Sequence, residues 1–196
     1  NEDRYKFDLG LRKQVTGFGQ ASLTGFYVKQ NDAALISSST VTVNGEPFAL
    51  FENANRKSYG AEFEVQTNRF DNGLQFFGNV TAMRTKRTYS GDWDKDDEIP
   101  NVVVGGGASY TFEKYEFLVF AKHLSSYENE RFIPSGSPPA PLGDFVDLGA
   151  QLTYQHDKNT EFYVRAENVT DDEYSTVPGY PHDGALFYAG FVKRFQ

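Results

Sequence analysis

The sequence predicts an all-β protein whose antiparallel strands form an up-and-down transmembrane β-barrel. Apolar and polar side chains alternate with a period of two through most of the 196 residues, which gives each strand one apolar and one polar face. Each apolar stretch is roughly 9 to 11 residues long, the length that a tilted strand needs to cross a membrane. Short and long connections alternate between these stretches, as in barrels with turns at one rim and loops at the other.

The first four strands are separated by turn signals and by one irregular segment. We predict these strands over residues 3–14, 23–36, 59–66 and 74–82. Residues Ser37 to Gly45 are interpreted as an exposed excursion, although Val41 and Val43 would let the strands continue beyond the membrane. Asp71-Asn72-Gly73 predicts a tight hairpin turn, because Asn and Gly accept the positive φ that such turns require.

Five further strands follow, and three long connections interrupt them. We predict these strands over residues 102–112, 115–121, 146–154, 162–166 and 185–195. The acidic run 90–98 is interpreted as a solvated external loop rather than a Ca²⁺ site, because Asp97 occupies the place where a compact calcium loop needs glycine. The second connection contains prolines that remove ladder donors and are predicted to lie outside the sheet, namely Pro134, Pro138, Pro139 and Pro141. The third connection covers residues 170–184.

The number of predicted strands is odd, which has a consequence for the size of the barrel. Nine antiparallel strands cannot close as a bacterial single-chain barrel, in which the number of strands is even. We therefore expect this chain to be the C-terminal part of a larger barrel, with its unsealed edge at the N-terminal strand. Asn1, which follows neither an initiator Met nor a leader, is expected to be a processed or internal start.

Composition excludes several classes of protein. The 19 Lys and Arg against 27 Asp and Glu give a net charge of −8, which speaks against nucleic acid as a partner. With no Cys, the chain can form neither a disulfide framework nor a thiolate metal site. No run of about 18 apolar residues is present, which excludes a membrane-spanning helix. A mean hydropathy of −0.56 is compatible with alternating membrane strands.

Three stretches resemble one known family. Residues 52–64 (ENANRKSYGAEFE) are similar to the "N…GvEle" strand of TonB-dependent outer-membrane receptors. Residues 162–174 (FYVRAENVTDDEY) resemble their "v-x-N-l-x-d-x-x-Y" segment, and residues 184–195 (GALFYAGFVKRF) resemble their terminal strand. The chain departs from the family pattern at Ala185, where the family usually has Arg, and at Lys193, where the terminal signal prefers an apolar residue. Gln196 is a third departure, because it follows the usual closing Phe.

The resemblance implies a fold and a function. It implies a barrel of about 22 strands with an N-terminal plug, of which residues 1–196 would be the C-terminal portion, without the plug and the N-terminal strands. Such a receptor lies in the Gram-negative outer membrane, in contact with lipid, and binds a scarce nutrient at its external loops. Import is driven by the TonB complex through the plug. The expected ligand is most often a ferric siderophore, with haem, cobalamin or oligosaccharide as other classes; no cofactor is expected.

Two sets of residues are candidates for contacts in such a receptor. Aromatic and charged residues of the long loops are candidates for ligand capture: Arg84, Lys86, Arg87, Trp93, Tyr127, Arg131, Phe132, Tyr174, Tyr180 and His182. Polar residues that alternate with the apolar ones are predicted to face the lumen and the plug: Asp8, Arg12, Glu62, Glu64, Gln66, Asn79, Arg165 and Glu167. If the ligand is an anionic chelate, the basic residues among the loop candidates would attract it.

Two other classes of protein remain open. One is a complete small barrel that acts as a passive pore or adhesin. The other is a soluble carbohydrate-binding β-sandwich, in which the apolar faces pack on each other. An enzyme is not expected, because His123, His156 and His182 are scattered and no arrangement of nucleophile, acid and base is present; for the same reason no catalytic or metal site is predicted.

Overall fold

One large antiparallel sheet dominates the computed structural model, which describes residues 2–128 and 141–195. Its nine main strands are β1 (Asp3–Val15), β2 (Gly19–Val43), β3 (Glu46–Thr67), β4 (Leu74–Thr88), β6 (Val102–Phe112), β7 (Tyr115–Leu124), β10 (Phe145–Asp157), β11 (Thr160–Glu167) and β14 (Leu186–Lys193). Five short strands accompany them: β5 (Asp94–Lys95), β8 (Tyr127–Glu128), β9 (Pro141–Leu142), β12 (Ser175–Val177) and β13 (Tyr180–Pro181). In these two ranges no helix is long and apolar enough to cross a membrane.

The nine main strands pair in chain order, each antiparallel to the next. This is the up-and-down topology that the alternating connections predict, and all nine predicted strands are confirmed. β5 pairs with the end of β4, whereas β8 pairs with β9 and β12 pairs with β13 in two separate small sheets. The five short strands lie inside connections for which the sequence predicted no strand.

The register gives the sheet an apolar face and a polar face. Leu23 lies opposite Phe63, Phe63 lies opposite Val80, and Val80 lies opposite Val104, so these side chains share one face. No second layer covers this apolar face among the described residues. Leu11 is 77% exposed and Phe187 is also 77% exposed. A single sheet with a bare apolar face contradicts the sandwich alternative, in which two such faces would bury each other.

The hairpin of β2 and β3 is the main departure from the predicted strand boundaries. Residues 37–45 were interpreted as an exposed excursion in which Val41 and Val43 would let the strands continue. The strands do continue, since β2 extends to Val43 and β3 begins at Glu46, 13 residues before its predicted start at Tyr59. Asn44 and Gly45 close the hairpin with φ values of 54° and 89°, the left-handed conformations that tight two-residue turns require. We call the part of this hairpin beyond Asn31 and Asn55 the arm.

The proline-rich connection also differs in part from its prediction. Pro141 was expected outside any sheet, but it is the first residue of β9 and lies opposite Glu128. The first residue of a strand suits proline, because proline has no backbone N–H to donate to a neighbouring strand. Pro134, Pro138 and Pro139 lie outside the described residues.

Candidate functional site

The connections between strands divide the sheet into two rims. At one end, short turns join β1 to β2, β3 to β4, β6 to β7 and β10 to β11. At the other end lie the arm and the connections over residues 89–101, 125–144 and 168–185, which carry the short strands. We call these ends the short-turn rim and the long-loop rim. The long-loop rim holds all the sequence-predicted ligand residues that the structure describes.

Two arginines and two carboxylates fasten one long loop to the polar face. Arg56 Nη2 lies 2.6 Å from Asp96 Oδ2, and Arg87 Nη1 lies 2.8 Å from Glu98 Oε1. Two longer contacts cross between these pairs: Arg56 with Glu98 at 3.4 Å and Arg87 with Asp96 at 3.9 Å. The Asp96 side chain is completely buried. We call these four residues the arginine clamp.

The clamp corrects the interpretation of residues 90–98 as a solvated loop. Arg56 and Arg87 lie directly opposite each other in β3 and β4, where two like charges repel. The carboxylates of Asp96 and Glu98 compensate this repulsion, so the loop has an electrostatic reason to fold back. Backbone contacts support it, since the Asp96 N–H donates to Thr85 O at 2.9 Å. In the described part of the chain, no group of three or more His, Asp or Glu side chains is arranged to hold a metal ion.

A stack of three aromatic rings orders the last long connection. The Phe145 and Tyr174 rings lie 3.6 Å apart and nearly parallel, and the His182 ring lies 4.6 Å from Tyr174 on a tilt of 21°. Phe145 and Tyr174 are buried, whereas His182 is exposed. The stack therefore extends from the base of β10 to the surface of the rim.

Asn168 is the polar centre of the same connection. It is fully buried, with φ at 47°, and its side-chain oxygen accepts from the Asp172 N–H at 3.1 Å. Its side-chain N–H donates to Asp172 O at 3.0 Å. Asp171 then accepts from the Ala185 N–H at 2.8 Å, just before β14 begins. These bonds give Asn168 and Asp171 structural roles in this connection.

We expect Tyr174 to report on this connection through its titration. Burial and the nearby Asp147 carboxylate raise the pKa of the Tyr174 phenol from 10.0 to about 12. Because the neutral phenol is the favoured form, its stabilising contribution is complete below pH 10 and is lost as the pH rises from 10 to about 12. Phenolate absorbance of the wild type minus that of Tyr174→Phe should therefore rise near pH 12. A difference curve centred at pH 10 would contradict the buried placement.

The predicted ligand residues fall on different sides of the rim. Arg87 lies on the polar face in the clamp, whereas Arg84 and Lys86 lie on the apolar face with Tyr59 and Lys57. The Tyr127 hydroxyl donates to Thr176 O at 2.7 Å, Tyr180 is 74% exposed, and Trp93 packs under the Lys57 amine. Arg131 and Phe132 lie outside the described residues. The ligand role of this set stays a prediction.

The predicted lumen residues share the polar face. The register places this whole set on the face of the sheet that does not carry the apolar side chains: Asp8, Arg12, Glu62, Glu64, Gln66, Asn79, Arg165 and Glu167. Near the short-turn rim, a hollow of about 230 Å³ on this face is lined by Arg12, Gln66 and Asn79, among others. Arg165 pairs with Glu167 at 2.6 Å. Contact of these residues with a plug stays a prediction.

Sequence reasoning missed several residues that build the rim. Arg56 and Asp96 were not singled out as site residues. Arg56 lies in the segment 52–64, which resembles the family, and Asp96 lies in the acidic run 90–98. The partly buried carboxylate of Asp147, which accepts from Asn168 N–H at 3.1 Å, was also missed. Its signal in the sequence is weak: an acidic residue that alternates with Val146 and Leu148 at the start of a strand.

The sequence matches the family described as "TonB dependent receptor-like, beta-barrel" over residues 2–169. The chain belongs to this family. The matched region extends from β1 past β11 and includes the arm and the clamp. The resemblance of the sequence to TonB-dependent receptors is thereby confirmed, which decides against an unrelated small barrel. No match was found among curated proteins.

Several solved structures of TonB-dependent receptors and transporters share the fold at low sequence identity. A copper transporter, OprC, is 16% identical with a TM-score of 0.78 over 98% of this chain. The ferric-catecholate import receptor Fiu from E. coli K12 is 16% identical with a TM-score of 0.74 over 99%. The pyoverdine outer-membrane receptor FpvA from Pseudomonas aeruginosa PAO1, bound to pyoverdine, is 17% identical with a TM-score of 0.73 over 99%.

The chain spans only about a third of these structures: 31% of OprC, 28% of Fiu and 30% of FpvA. At 16–17% sequence identity, the likeness to these structures shows the fold of this chain and nothing further. Nine paired strands therefore form part of a larger barrel wall, as the sequence predicted from its odd strand number.

Proposed function

We propose that the protein is an outer-membrane active-transport receptor of Gram-negative cells, which binds a scarce nutrient at the long-loop rim and imports it with energy from the TonB complex. The family match over residues 2–169 carries this proposal. Residues 1–196 would form the C-terminal portion of the barrel domain, and the plug and the remaining strands would be supplied by the rest of the protein.

A ferric siderophore is the proposed ligand class. The long-loop rim offers two exposed rings: Tyr180, and His182 at the end of the aromatic stack. Rings of this kind pack against flat aromatic chelators. Fiu is a ferric-catecholate import receptor, and the FpvA structure is bound to pyoverdine.

The polar face would hold the plug. Some of its charges already have local compensation, such as Lys6 with Asp8 at 3.0 Å and Arg165 with Glu167. Such pairs are partly exposed and so remain open to further hydrogen bonds with a domain inside the barrel. The hollow near Arg12 and Asn79 lies at the short-turn rim, on the side from which TonB would act.

Uptake of radioactive iron chelates by cells tests this function. Deleting the gene should abolish uptake of one chelate, and deleting TonB should abolish it equally, because import needs both the receptor and its energy supply. The double variant Tyr180→Ala/His182→Ala should reduce that uptake at least about tenfold by removing the exposed rings.

Lys158→Ala at the opposite rim is the matched control, and its uptake should equal that of the wild type. Uptake that persists without TonB would contradict energy coupling. If deletion changes copper uptake but no iron chelate, the siderophore class is wrong and the receptor proposal stands.

A further inference from the structure

The long connections of the rim are bonded to one another as well as to the sheet. We number them in chain order: the first covers residues 89–101, the second 125–144 and the third 168–185. Within the second connection, the structure describes residues 125–128 and 141–144. Independent loops could open one at a time without disturbing their neighbours. The hydrogen bonds between these three connections indicate a different behaviour.

The second connection is bonded to the first connection and to the start of β6. The Glu128 N–H donates to Asp97 O at 2.8 Å, and the Ser125 N–H donates to Val102 O at 2.9 Å. The Val102 N–H donates in return to the Ser125 hydroxyl at 3.0 Å. Asp97 lies between the two carboxylates of the arginine clamp in the chain. The bond to Asp97 O therefore joins the second connection directly to the clamp.

The second connection is also bonded to the third. The Tyr127 hydroxyl donates to Thr176 O at 2.7 Å, and the Gly143 N–H donates to Ser175 O at 3.3 Å. Both acceptors belong to β12, which pairs with β13, and β13 begins at Tyr180. Hydrogen bonds therefore connect the clamp, through the second connection, to the hairpin that carries the exposed ring of Tyr180.

Each connection buries at least one side chain at the rim. The Asp96 side chain is completely buried in the first connection, and Leu142 is 1% exposed in the second. In the third, Tyr174 and Asn168 are both buried. A connection that opened alone would expose its buried group and would also leave backbone groups of its neighbour without partners. Each shared bond is lost when either connection opens, so the first opening reduces the free-energy cost of the next.

We infer that the three connections form one cooperative unit, in which release of the arginine clamp and release of the β12–β13 hairpin are the same opening event. We call it the rim unit. It is a property of the chain without ligand and does not depend on nutrient transport. A nutrient that bound at the exposed rings and stabilised one state of the rim unit would stabilise the same state of the clamp. This last consequence rests on the proposed function, whereas the rim unit itself does not.

Amide hydrogen exchange of the full-length receptor in nanodiscs tests the rim unit from its centre. Tyr127→Phe removes the hydroxyl donor and leaves Thr176 O without this partner. Loss of one such bond should accelerate exchange about fivefold. In a cooperative unit, the same acceleration should appear in peptides that cover residues 94–98, although the Tyr127 hydroxyl donates to the third connection and not to the first.

Asp96→Asn tests the rim unit from its other end. The substitution weakens the clamp in the first connection and leaves the third connection chemically unchanged. Because the rim unit opens as a whole, peptides that contain the His182 amide, which donates to Tyr174 O at 2.8 Å, should exchange about 30-fold faster than in the wild type.

Two controls separate the rim unit from other causes. Tyr5→Phe removes the hydroxyl of an exposed tyrosine in β1 and should leave all rates at the wild-type level. Amides in the middle of β4 should also keep their wild-type rates in every variant. Acceleration confined to the substituted connection and its directly bonded neighbour would show that the connections open separately, and the proposal would be wrong. Equal acceleration in the middle of β4 would overturn it as well, because the whole sheet would then open together.

Discussion

Asp96→Asn should release the loop between β4 and β6 from the polar face. The substitution removes one of the two carboxylates that hold Arg56 and Arg87 together, and the guanidinium groups then repel each other across the strand pair. Breaking a buried ion pair costs about 3–5 kcal/mol, and partial exposure of the two arginines reduces this cost to about 2 kcal/mol. Amide hydrogen exchange over residues 94–98 should accelerate about 30-fold.

The amide of Asp96 is the most informative probe, since it donates to Thr85 O in the wild type. Asp92→Asn is the matched control: it makes the same chemical change in the same loop at an exposed position. If both variants exchange at the wild-type rate, the clamp does not hold the loop. If both accelerate equally, the loss of acidic charge itself is the cause, and the buried geometry is irrelevant.

Asn168→Ala should destabilise the connection before the last strand by about 3–4 kcal/mol. Alanine loses the bonds to Asp172 and disfavours the left-handed backbone at φ 47°. Loss of structure at residue 168 would extend to Ala185, because the Ala185 N–H donates to Asp171, three residues after Asn168. In the full-length receptor, the folded band on an unboiled denaturing gel should disappear at a lower temperature than in the wild type.

Two companion variants divide this effect into its causes. Asn168→Gly keeps the left-handed backbone without strain and should recover about 1 kcal/mol of the loss. Asn53→Ala, at an exposed asparagine of the arm, should leave the transition unchanged. A gel transition for Asn168→Ala equal to that for Asn53→Ala would show that the buried amide does not stabilise the connection.

The strands and their two faces could be predicted because they depend on local properties. Alternation of Phe63 and Val65 with Glu62 and Glu64 places each side chain on a face whatever strand lies beside it. The membrane-sized apolar stretches and the turn signal at Asn72-Gly73 are equally local. The turns then fix the register between neighbouring strands, so the main sheet could be predicted with little knowledge of contacts between residues distant in sequence.

The arginine clamp could not be predicted in this way. Arg56 meets Arg87 only through the register of a hairpin that joins β3 to β4, and Asp96 meets both only after the loop has folded back. In the sequence, Asp96 is one acidic residue among five between positions 92 and 98. Nothing local distinguishes the buried carboxylate from its exposed neighbours, so the whole run was interpreted as solvated.

The arm shows a different limit of local reasoning. Asn44-Gly45 is a strong hairpin signal, and Val41 and Val43 alternate with threonines before it. The serines at residues 37–39 obscure this signal, because short polar side chains are equally typical of loops. At the aromatic stack, the sequence indicated Tyr174 and His182 but not their partner Phe145, which lies far along the chain.

The arm leaves two strand edges without a neighbour among the described residues. β2 pairs only with β3 after Asn31, and β3 pairs only with β2 before Asn55. An open edge recruits other strands, but the positive φ of Asp32, a second irregularity after Ile36 and Pro47 interrupt its hydrogen-bonding repeat. A strand that approached either edge would therefore find no continuous row of donors and acceptors to pair with.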